Sequence, residues 1–209
     1  MRLRKIFAVI AAVVFIVGCA DEKGEIIYNE NDVSVYLQSD DSQKLYRNNN
    51  ENFKIACFDN WDVKVNDGEY LVKFVLETDE GAVWLGVRKE LLEDNEKDIA
   101  VLKDKYTDEL KNGIVKSADV TVGGKKGKWI KVESIEGSGI GLKNKETGED
   151  VAIDQENLVT NDENSFREDL IFILDDDYSY VFLYHADNLS LYNGYEESID
   201  KFLGTFQLC

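Results

Sequence analysis

The chain has 209 residues and carries 42 Asp and Glu against 24 Lys and Arg, a formal charge of −18 at pH 7. This acidity argues against nucleic acid as a partner, because nucleic-acid binding depends on neutralising phosphates with Lys and Arg. One histidine and three cysteines are too few for a histidine-rich or Cys/His zinc site, and no set of residues typical of catalysis stands out. We therefore expect no metal, no cofactor and no enzymatic activity.

The first element in chain order is a short apolar segment behind a basic start. Arg2, Arg4 and Lys5 precede an unbroken apolar run at residues 6–17. As a helix this run would be ~18 Å long, which is too short for the ~30 Å hydrocarbon core of a bilayer. A basic start followed by a short apolar run is typical of a cleavable secretory signal peptide.

The end of this segment resembles a bacterial lipobox, with Ile16 three residues before Cys19 and Gly18 directly before it. The resemblance implies cleavage after Gly18 and attachment of a diacylglycerol, with further acyl chains such as palmitate, to the Cys19 thiol. The protein would then be held at the cell membrane, facing outside the cytoplasm, or at the outer membrane if the host has two. The alternatives are an ordinary signal peptide, or an uncleaved anchor with a chance cysteine.

The sequence divides into three regions. Residues 1–18 are the signal peptide, and residues 19–52 are the lipidated cysteine, a polar tether at 21–25 and two short β patches at 33–37 and 44–46. Residues 53–209 suit one domain of ordinary size. Within this domain, residues 136–165 form a polar excursion.

Alternation of apolar and polar residues predicts most of the strands. The first four lie at 53–57, 61–65, 70–77 and 82–89, with a hairpin turn at Asp79-Glu80-Gly81. Residues 114–122 and 128–135 form another hairpin across a glycine-rich turn, and residues 169–174 and 178–185 form the last pair. A small hairpin of 140–142 with 151–153 is predicted inside the excursion.

Two helices follow from apolar residues that recur on one face. Asn95 is predicted to cap the first helix, which ends at Asn112-Gly113, and the second begins near Asn193 with Glu196 completing a capping box. The apolar faces are Ile99, Leu102, Tyr106 and Leu110 in the first helix, and Ile199, Phe202, Leu203 and Phe206 in the second. Strands in hairpins with two helices predict an α+β fold, a mainly antiparallel sheet with helices packed on it.

The order of these parts resembles PsbP-like domains. Three stretches carry the resemblance: 53–63, where an aromatic strand leads through a turn to Trp61; 124–129, a hairpin segment ending in Trp129; and 198–206, the closing helix. The resemblance covers about 53–208 and implies an α/β/α sandwich, similar to the Mog1 and DcrB folds of many bacterial lipoproteins. The family usually has proline before the turn to the tryptophan, where this chain has Phe58-Asp59-Asn60. No functional residue carries over.

Two cysteines remain once Cys19 is lipidated. Cys57 and Cys209 could form a disulfide, because exported proteins reside in oxidising surroundings. The alternative is two separate thiols, with Cys57 buried in a strand.

His185, the one candidate for histidine chemistry, follows Val181 and Leu183 on the same face of an apolar strand. That position favours a structural role over a general acid or base. The aromatic stripe Tyr178, Tyr180, Phe182 and Tyr184 could bind sugars or peptides, and packing beneath a helix is the interpretation we favour.

Acidic and glycine-rich loops are the remaining candidates. Asp175-Asp176-Asp177, and separately Asp154, Glu156, Asp162 and Glu163, offer oxygen ligands for calcium, but neither group has the EF-hand spacing. The glycines between 137 and 141 lack the spacing of a phosphate-binding loop. The leading hypothesis is a non-catalytic envelope lipoprotein that binds an envelope protein or small ligand. The alternatives are a calcium-dependent module or a hydrolase that uses two carboxylates on envelope glycans.

Overall fold

The computed structural model describes residues 25–38, 42–110, 114–133, 143–144 and 165–209. These residues form strands, two α-helices, α1 (Ile99–Leu110) and α2 (Leu189–Thr205), and a 3₁₀ turn at Asp94–Glu96. The strands are β1 (Glu25–Glu30), β2 (Val33–Gln38), β3 (Gln43–Asn48), β4 (Phe53–Phe58), β5 (Asp62–Asp67), β6 (Tyr70–Thr78), β7 (Gly81–Leu91), β8 (Ile114–Val122), β9 (Lys125–Glu133), β10 (Lys143–Asn144), β11 (Ser165–Asp175), β12 (Tyr178–Ala186) and β13 (Gln207–Leu208).

The strands make two sheets, and every pairing among them is antiparallel. The smaller sheet has the order β1-β2-β3-β4-β13, and the larger has the order β5-β6-β7-β12-β11-β9-β8, with β10 beside β11. The predicted α+β class, mainly antiparallel sheet with helices packed on it, is therefore confirmed. The division into two sheets does not follow from the sequence pattern.

Two hydrophobic clusters hold these parts together, one on each face of the larger sheet. The main cluster joins both sheets to α2 and contains Trp61, Phe53, Phe182, Phe202 and Phe206, all almost fully buried. The second lies beneath α1, where Leu102 and Tyr106 meet Leu170 and Phe172 of β11. Side chains alternate between the faces of a strand, so β11 contributes to both clusters.

The N-terminal segment differs from the prediction. β1, β2 and β3 continue the smaller sheet from β4, and Val33, Val35 and Tyr46 belong to the main core. The described residues between 25 and 52 are thus part of the folded domain, and β3 pairs with β4 across the predicted boundary before Phe53. Alternation over short polar segments does not reveal how much of this segment is buried.

Both predicted helix starts are wrong by several residues. α1 begins after Asp98, whose carboxylate accepts a hydrogen bond from the Ala100 N–H at 2.7 Å, while Asn95 lies in the preceding 3₁₀ turn. α2 is capped by Asn188, whose side chain accepts from the Leu191 N–H at 2.9 Å, so it begins four residues before Asn193. In both places a nearer polar side chain satisfies the free N–H groups of the first turn.

The other predicted elements in the described residues are confirmed within a few residues. The β8–β9 turn is tighter than predicted, because Gly123 and Gly124 both have positive φ and reverse the chain on their own. The predicted helix stop at Asn112-Gly113 and the predicted hairpin within 136–165 lie outside the described residues. In the part of the chain described, neither helix is long and apolar enough to cross a membrane.

Gly127 marks the closest approach of two strands. A Cβ atom built on Gly127 of β9 would lie 1.7 Å from the backbone oxygen of Phe172 in β11. That oxygen cannot move aside without opening the β9–β11 pairing. Gly194, exposed in α2, has no atom within 4 Å of its would-be Cβ.

We expect Gly127→Ala to lower the free energy of unfolding by roughly 3 kcal/mol or more, because the added methyl group meets backbone. Gly194→Ala is the matched control, and it should be neutral or stabilising by up to ~1 kcal/mol through helix propensity. Urea denaturation of both variants measures the difference. Equal unfolding midpoints would contradict the packing described for Gly127.

Candidate functional site

Several of the residues singled out in the sequence lie outside the described residues. They are Cys19, the glycines between 137 and 141, and the excursion carboxylates Asp154, Glu156, Asp162 and Glu163. Cys57, His185, the Asp175–Asp177 turn and the tyrosine stripe are described. Cys57 lies in β4, whereas the tyrosine stripe and His185 lie in β12, and the Asp175–Asp177 turn joins β11 to β12.

Cys57 is not bonded to Cys209 in this structure. Cys57 is a free thiol buried in β4, where burial raises its pKa to about 12. Cys209 follows β13, and its N–H donates to the carbonyl of Asn52, at the opposite end of β4. Five residues of extended strand span ~16 Å, well beyond the ~7 Å that a disulfide bridges between Cα atoms.

The acidic turn between β11 and β12 is neutralised by lysines. Asp175 forms an ion pair with Lys125 at 2.6 Å, and Asp177 forms one with Lys97 at 2.7 Å. These carboxylates therefore point toward separate cations on either side of the turn. Among the described residues, no group of three or more His, Cys, Asp or Glu is placed to hold a metal ion.

The tyrosine stripe is mostly core. Tyr180, Phe182 and Tyr184 are buried in the main cluster, which confirms packing beneath α2 for these three. The Tyr180 hydroxyl donates to the carbonyl of Glu51 at 2.8 Å, and the Tyr184 hydroxyl donates to the carbonyl of Tyr192. Only Tyr178, at the start of β12, keeps its ring exposed.

His185 joins three parts of the fold through its ring nitrogens. Nδ1 lies 3.0 Å from Glu168 Oε1 of β11, and Nε2 lies 3.2 Å from Asp187 Oδ1 in the loop before α2. The Trp84 ring stacks on the imidazole at a centroid distance of 4.8 Å. The other oxygen of Asp187 accepts from the Ala82 N–H at 2.8 Å, which ties the loop to the β6–β7 hairpin.

These contacts set the charge of His185. Burial alone would lower the pKa of the imidazole, but the hydrogen bonds to Asp187 and Glu168 outweigh burial and raise the pKa above its ordinary 6.5. The ring has a carboxylate at each nitrogen and an indole on its face, so its protonated form is stabilised on three sides.

Exposed apolar side chains meet a cavity at the β7–β12 pairing. Leu91 of β7 and Tyr178 of β12 are cross-strand partners and are 72% and 39% exposed. They border a cavity of about 550 Å³, whose other lining residues are Asn50, Glu51, Asn52, Leu71 and Lys89. We call these seven residues the Leu91–Tyr178 patch.

Lys89 is the charged centre of this patch. Its ammonium lies 3.0 Å from Glu51 and 4.1 Å from the centroid of the Tyr178 ring. Burial opposes the charge, but Glu51 and Tyr180 outweigh burial and raise the pKa of Lys89 above its ordinary value. The patch thus combines an apolar rim, a fixed ion pair and the polar β3–β4 turn.

A second cavity, of about 470 Å³, lies between the β8–β9 turn and the end of α2. Glycines and other uncharged residues line it, including Gly123, Gly124 and Gly204. It lacks a charged side chain and an exposed aromatic ring. The Leu91–Tyr178 patch is therefore the better candidate site.

Sequence reasoning missed this patch. Leu91 follows the predicted end of its strand, and Glu51 and Asn52 lie in a segment whose composition indicates a simple turn. A weak signal was present, since Tyr178 sits at the end of the aromatic stripe beside an acidic turn. The pairing of β7 with β12, which brings Leu91 to Tyr178, joins strands far apart in sequence.

Comparison with known proteins shows the fold. No protein-family model matches the chain, and no curated protein matches it. The structure is similar to the solution structure of a cyanobacterial PsbP protein, CyanoP from Synechocystis sp. PCC 6803, with a TM-score of 0.54 and 10% sequence identity. The match covers 81% of this chain and 94% of that chain. The predicted PsbP-like fold is confirmed, and at this identity the likeness concerns the fold alone.

We expect an NMR titration of His185 to give a pKa above the ordinary value of 6.5. The chain has one histidine, so its ring signals need no assignment. Glu168→Gln should lower this pKa by removing a carboxylate from Nδ1. Glu197→Gln, on the exposed face of α2, is the matched control and should leave the pKa unchanged. The arrangement would be contradicted if the pKa of His185 were at or below 6.5 and did not change in the Glu168→Gln variant.

The same linkage predicts a pH-dependent stability. Since folding raises the pKa of His185, its stabilisation is complete below about pH 6.5 and is lost as the pH rises through the raised pKa. We expect His185→Gln to lower the free energy of unfolding by about 1 kcal/mol at pH 5.5, the scale of a charge-assisted hydrogen bond, and by less at pH 8.5. Urea unfolding at the two pH values measures it, and an effect that grows with pH would contradict the assignment.

Proposed function

We propose that this protein is a lipid-anchored envelope lipoprotein whose PsbP-like domain binds an extracytoplasmic partner without catalysing a reaction. The Leu91–Tyr178 patch is the observation that carries the binding role. Its cavity falls within the ~300–1,000 Å³ of typical ligand sites, and Leu91 and Tyr178 give it an exposed apolar rim. Exposed apolar side chains beside a cavity are a usual feature of binding surfaces.

Support for the anchor comes from the N-terminal sequence. The basic start, the short apolar run and the lipobox at residues 16–19 agree with one another. We propose Cys19 as the lipid attachment site, residues 1–18 as a cleaved signal peptide, and the cell membrane as the place of the mature protein. In a two-membrane host the outer membrane is the other possible location, because no aspartate directly follows Cys19.

We further propose that the domain is a variant of the α/β/α sandwich. α1 contacts β9 and β11, and α2 contacts β7 and β12 of the larger sheet. The two clusters beneath these helices lie on opposite faces of that sheet. The smaller sheet packs beside α2 through β4.

The non-catalytic role is supported by how the ionisable side chains are used. His185 is held between Glu168 and Asp187, and Asp175 and Asp177 bind lysines. A general acid or base needs to reach a substrate, and calcium needs several free oxygen ligands in one loop. Within residues 25–38, 42–110, 114–133 and 165–209, no specific observation favours the calcium-dependent or the glycan-hydrolysing alternative.

We expect Cys19→Ala to abolish lipid labelling. Cells fed an alkyne-tagged palmitate should label the unaltered protein and the control Cys57→Ala, and both should sediment with membranes. Cys19→Ala should be unlabelled and should shift to the soluble extracytoplasmic fraction or remain as an uncleaved precursor. If Cys19→Ala is labelled and sediments like the unaltered protein, the lipobox assignment is wrong.

The patch can be tested by site-specific photocrosslinking in intact cells. We expect a benzophenone amino acid at Leu91 to give one dominant crosslinked product, and Lys89→Ala to reduce its yield severalfold. The matched control is Val101, an exposed apolar residue of α1, 42% accessible, which should give no such product. Equal products from both positions, or none from Leu91, would contradict a binding role for this patch.

A further inference from the structure

The free edge of the smaller sheet carries exposed apolar side chains between two acidic ends. β1 pairs with β2, and no other described strand lies on its outer side. Ile26 and Ile27 are 54% and 49% exposed, and Glu25 and Glu30 at the two ends are also exposed. Among the side chains described, no other edge strand bears an exposed large hydrophobic residue.

The exposure of two consecutive isoleucines has a local cause. The β1–β2 register shifts between Ile26 and Tyr28, so Ile27 is an extra residue without a partner on β2. A bulge of this kind interrupts the alternation of faces. Tyr28 packs toward the main core, while both isoleucines before it face solvent.

An edge strand presents a row of backbone N–H and C=O groups that can pair with another extended chain. The charges at its ends decide which chain can pair. If β1 paired along its whole length with β1 of a second copy in antiparallel fashion, Glu25 of each copy would lie opposite Glu30 of the other. Like charges directly opposite destabilise a strand pair, and the net charge of −18 adds general repulsion.

We propose that β1 is a docking edge for an extended segment of a partner protein, in which β-branched residues are flanked at both ends by lysine or arginine. Backbone hydrogen bonds along β1 supply the affinity. Cations opposite Glu25 and Glu30, and apolar contacts with Ile26 and Ile27, supply the specificity. The acidic ends exclude other copies of this chain and admit a basic strand.

This inference gives a chemistry to the partner of the proposed binding domain, and in that respect it rests on the proposed function. It uses a different surface from the Leu91–Tyr178 patch and does not require the lipid anchor. If no peptide bound to β1, the lipid-labelling and photocrosslinking results would therefore be unchanged. If the labelling or the photocrosslinking experiment failed, binding of a peptide to β1 could still be measured.

The test uses the full-length protein, purified from cells in detergent, with two fluorescent synthetic peptides. Both contain alternating valine and threonine, and one ends in lysines while the other ends in glutamates. We expect the lysine-ended peptide to bind at least about tenfold more tightly, from two attractive pairs replacing two repulsive ones. The difference should shrink at high salt, and hydrogen exchange should slow at residues 25–30.

Variants distinguish binding at the β1 edge from binding elsewhere on the surface. Ile27→Asp should weaken binding of the lysine-ended peptide about tenfold or more, whereas Leu189→Asp, at a residue 42% exposed on α2, should have no effect. The double change Glu25→Lys and Glu30→Lys should reverse the preference toward the glutamate-ended peptide.

Three results would overturn the proposal. They are equal binding of the two peptides or none, slowed exchange outside residues 25–30, and insensitivity to Ile27→Asp. Sedimentation that shows a dimer dependent on Ile27 would also overturn it, in favour of self-association through β1.

Discussion

Phe206 stands at the junction on which the whole fold depends. Its ring stacks on Phe53 of the smaller sheet at 5.5 Å and meets Phe182 of the larger sheet edge-on at 5.0 Å. One turn earlier, Phe202 contacts Trp61 at 4.9 Å. The end of α2 thus fills the space between the sheets with aromatic rings, which belong to the core that both sheets share.

The two ends of the molecule follow from this junction. At one end, the Thr205 hydroxyl accepts a hydrogen bond from the Ala56 N–H and donates one to the Ala56 carbonyl. β13 pairs with β4 and so forms an edge strand of the smaller sheet. At the other end of α2, Asn188 caps the helix and also donates to the carbonyl of Glu80. Asp187 and His185 extend that connection to β7 and β11. The helix is therefore fixed at both ends by polar contacts, and its middle is held by the core.

The surface divides into parts with different uses. Several acidic side chains of the described residues form ion pairs with lysine or arginine, as Asp175 does with Lys125 and Glu69 does with Arg88. Against this background, the Leu91–Tyr178 patch and the β1 edge are the places where apolar side chains remain exposed beside groups that could bind a partner. Both lie on strands whose positions are set by the packing of the two sheets, so binding would depend on the rigidity of the core.

Local pattern was enough to predict β6 with β7, β8 with β9, and β11 with β12, because alternation and turn residues act within a hairpin. It failed at the helix starts, because each helix has two candidate N-cap residues. These are Asn95 and Asp98 for α1, and Asn188 and Asn193 for α2. Which residue caps a helix depends on the position and direction of the chain as it leaves the preceding strand or turn. For α2, the hydrogen bonds of Asp187 and Asn188 to the β6–β7 hairpin fix this position, so that Asn188 is the cap. Nothing in the local sequence contains that information.

The sequence by itself determined the acidic composition, the lipobox resemblance, the antiparallel hairpins and the apolar faces of both helices, since each depends on residues near one another in the chain. Only the tertiary structure decided that the strands form two sheets, that Cys57 and Cys209 lie at opposite ends of β4, that His185 is bound between two carboxylates, and that Leu91 meets Tyr178 beside Lys89. These depend on pairings between distant segments, where burial of aromatic side chains outweighs local preference.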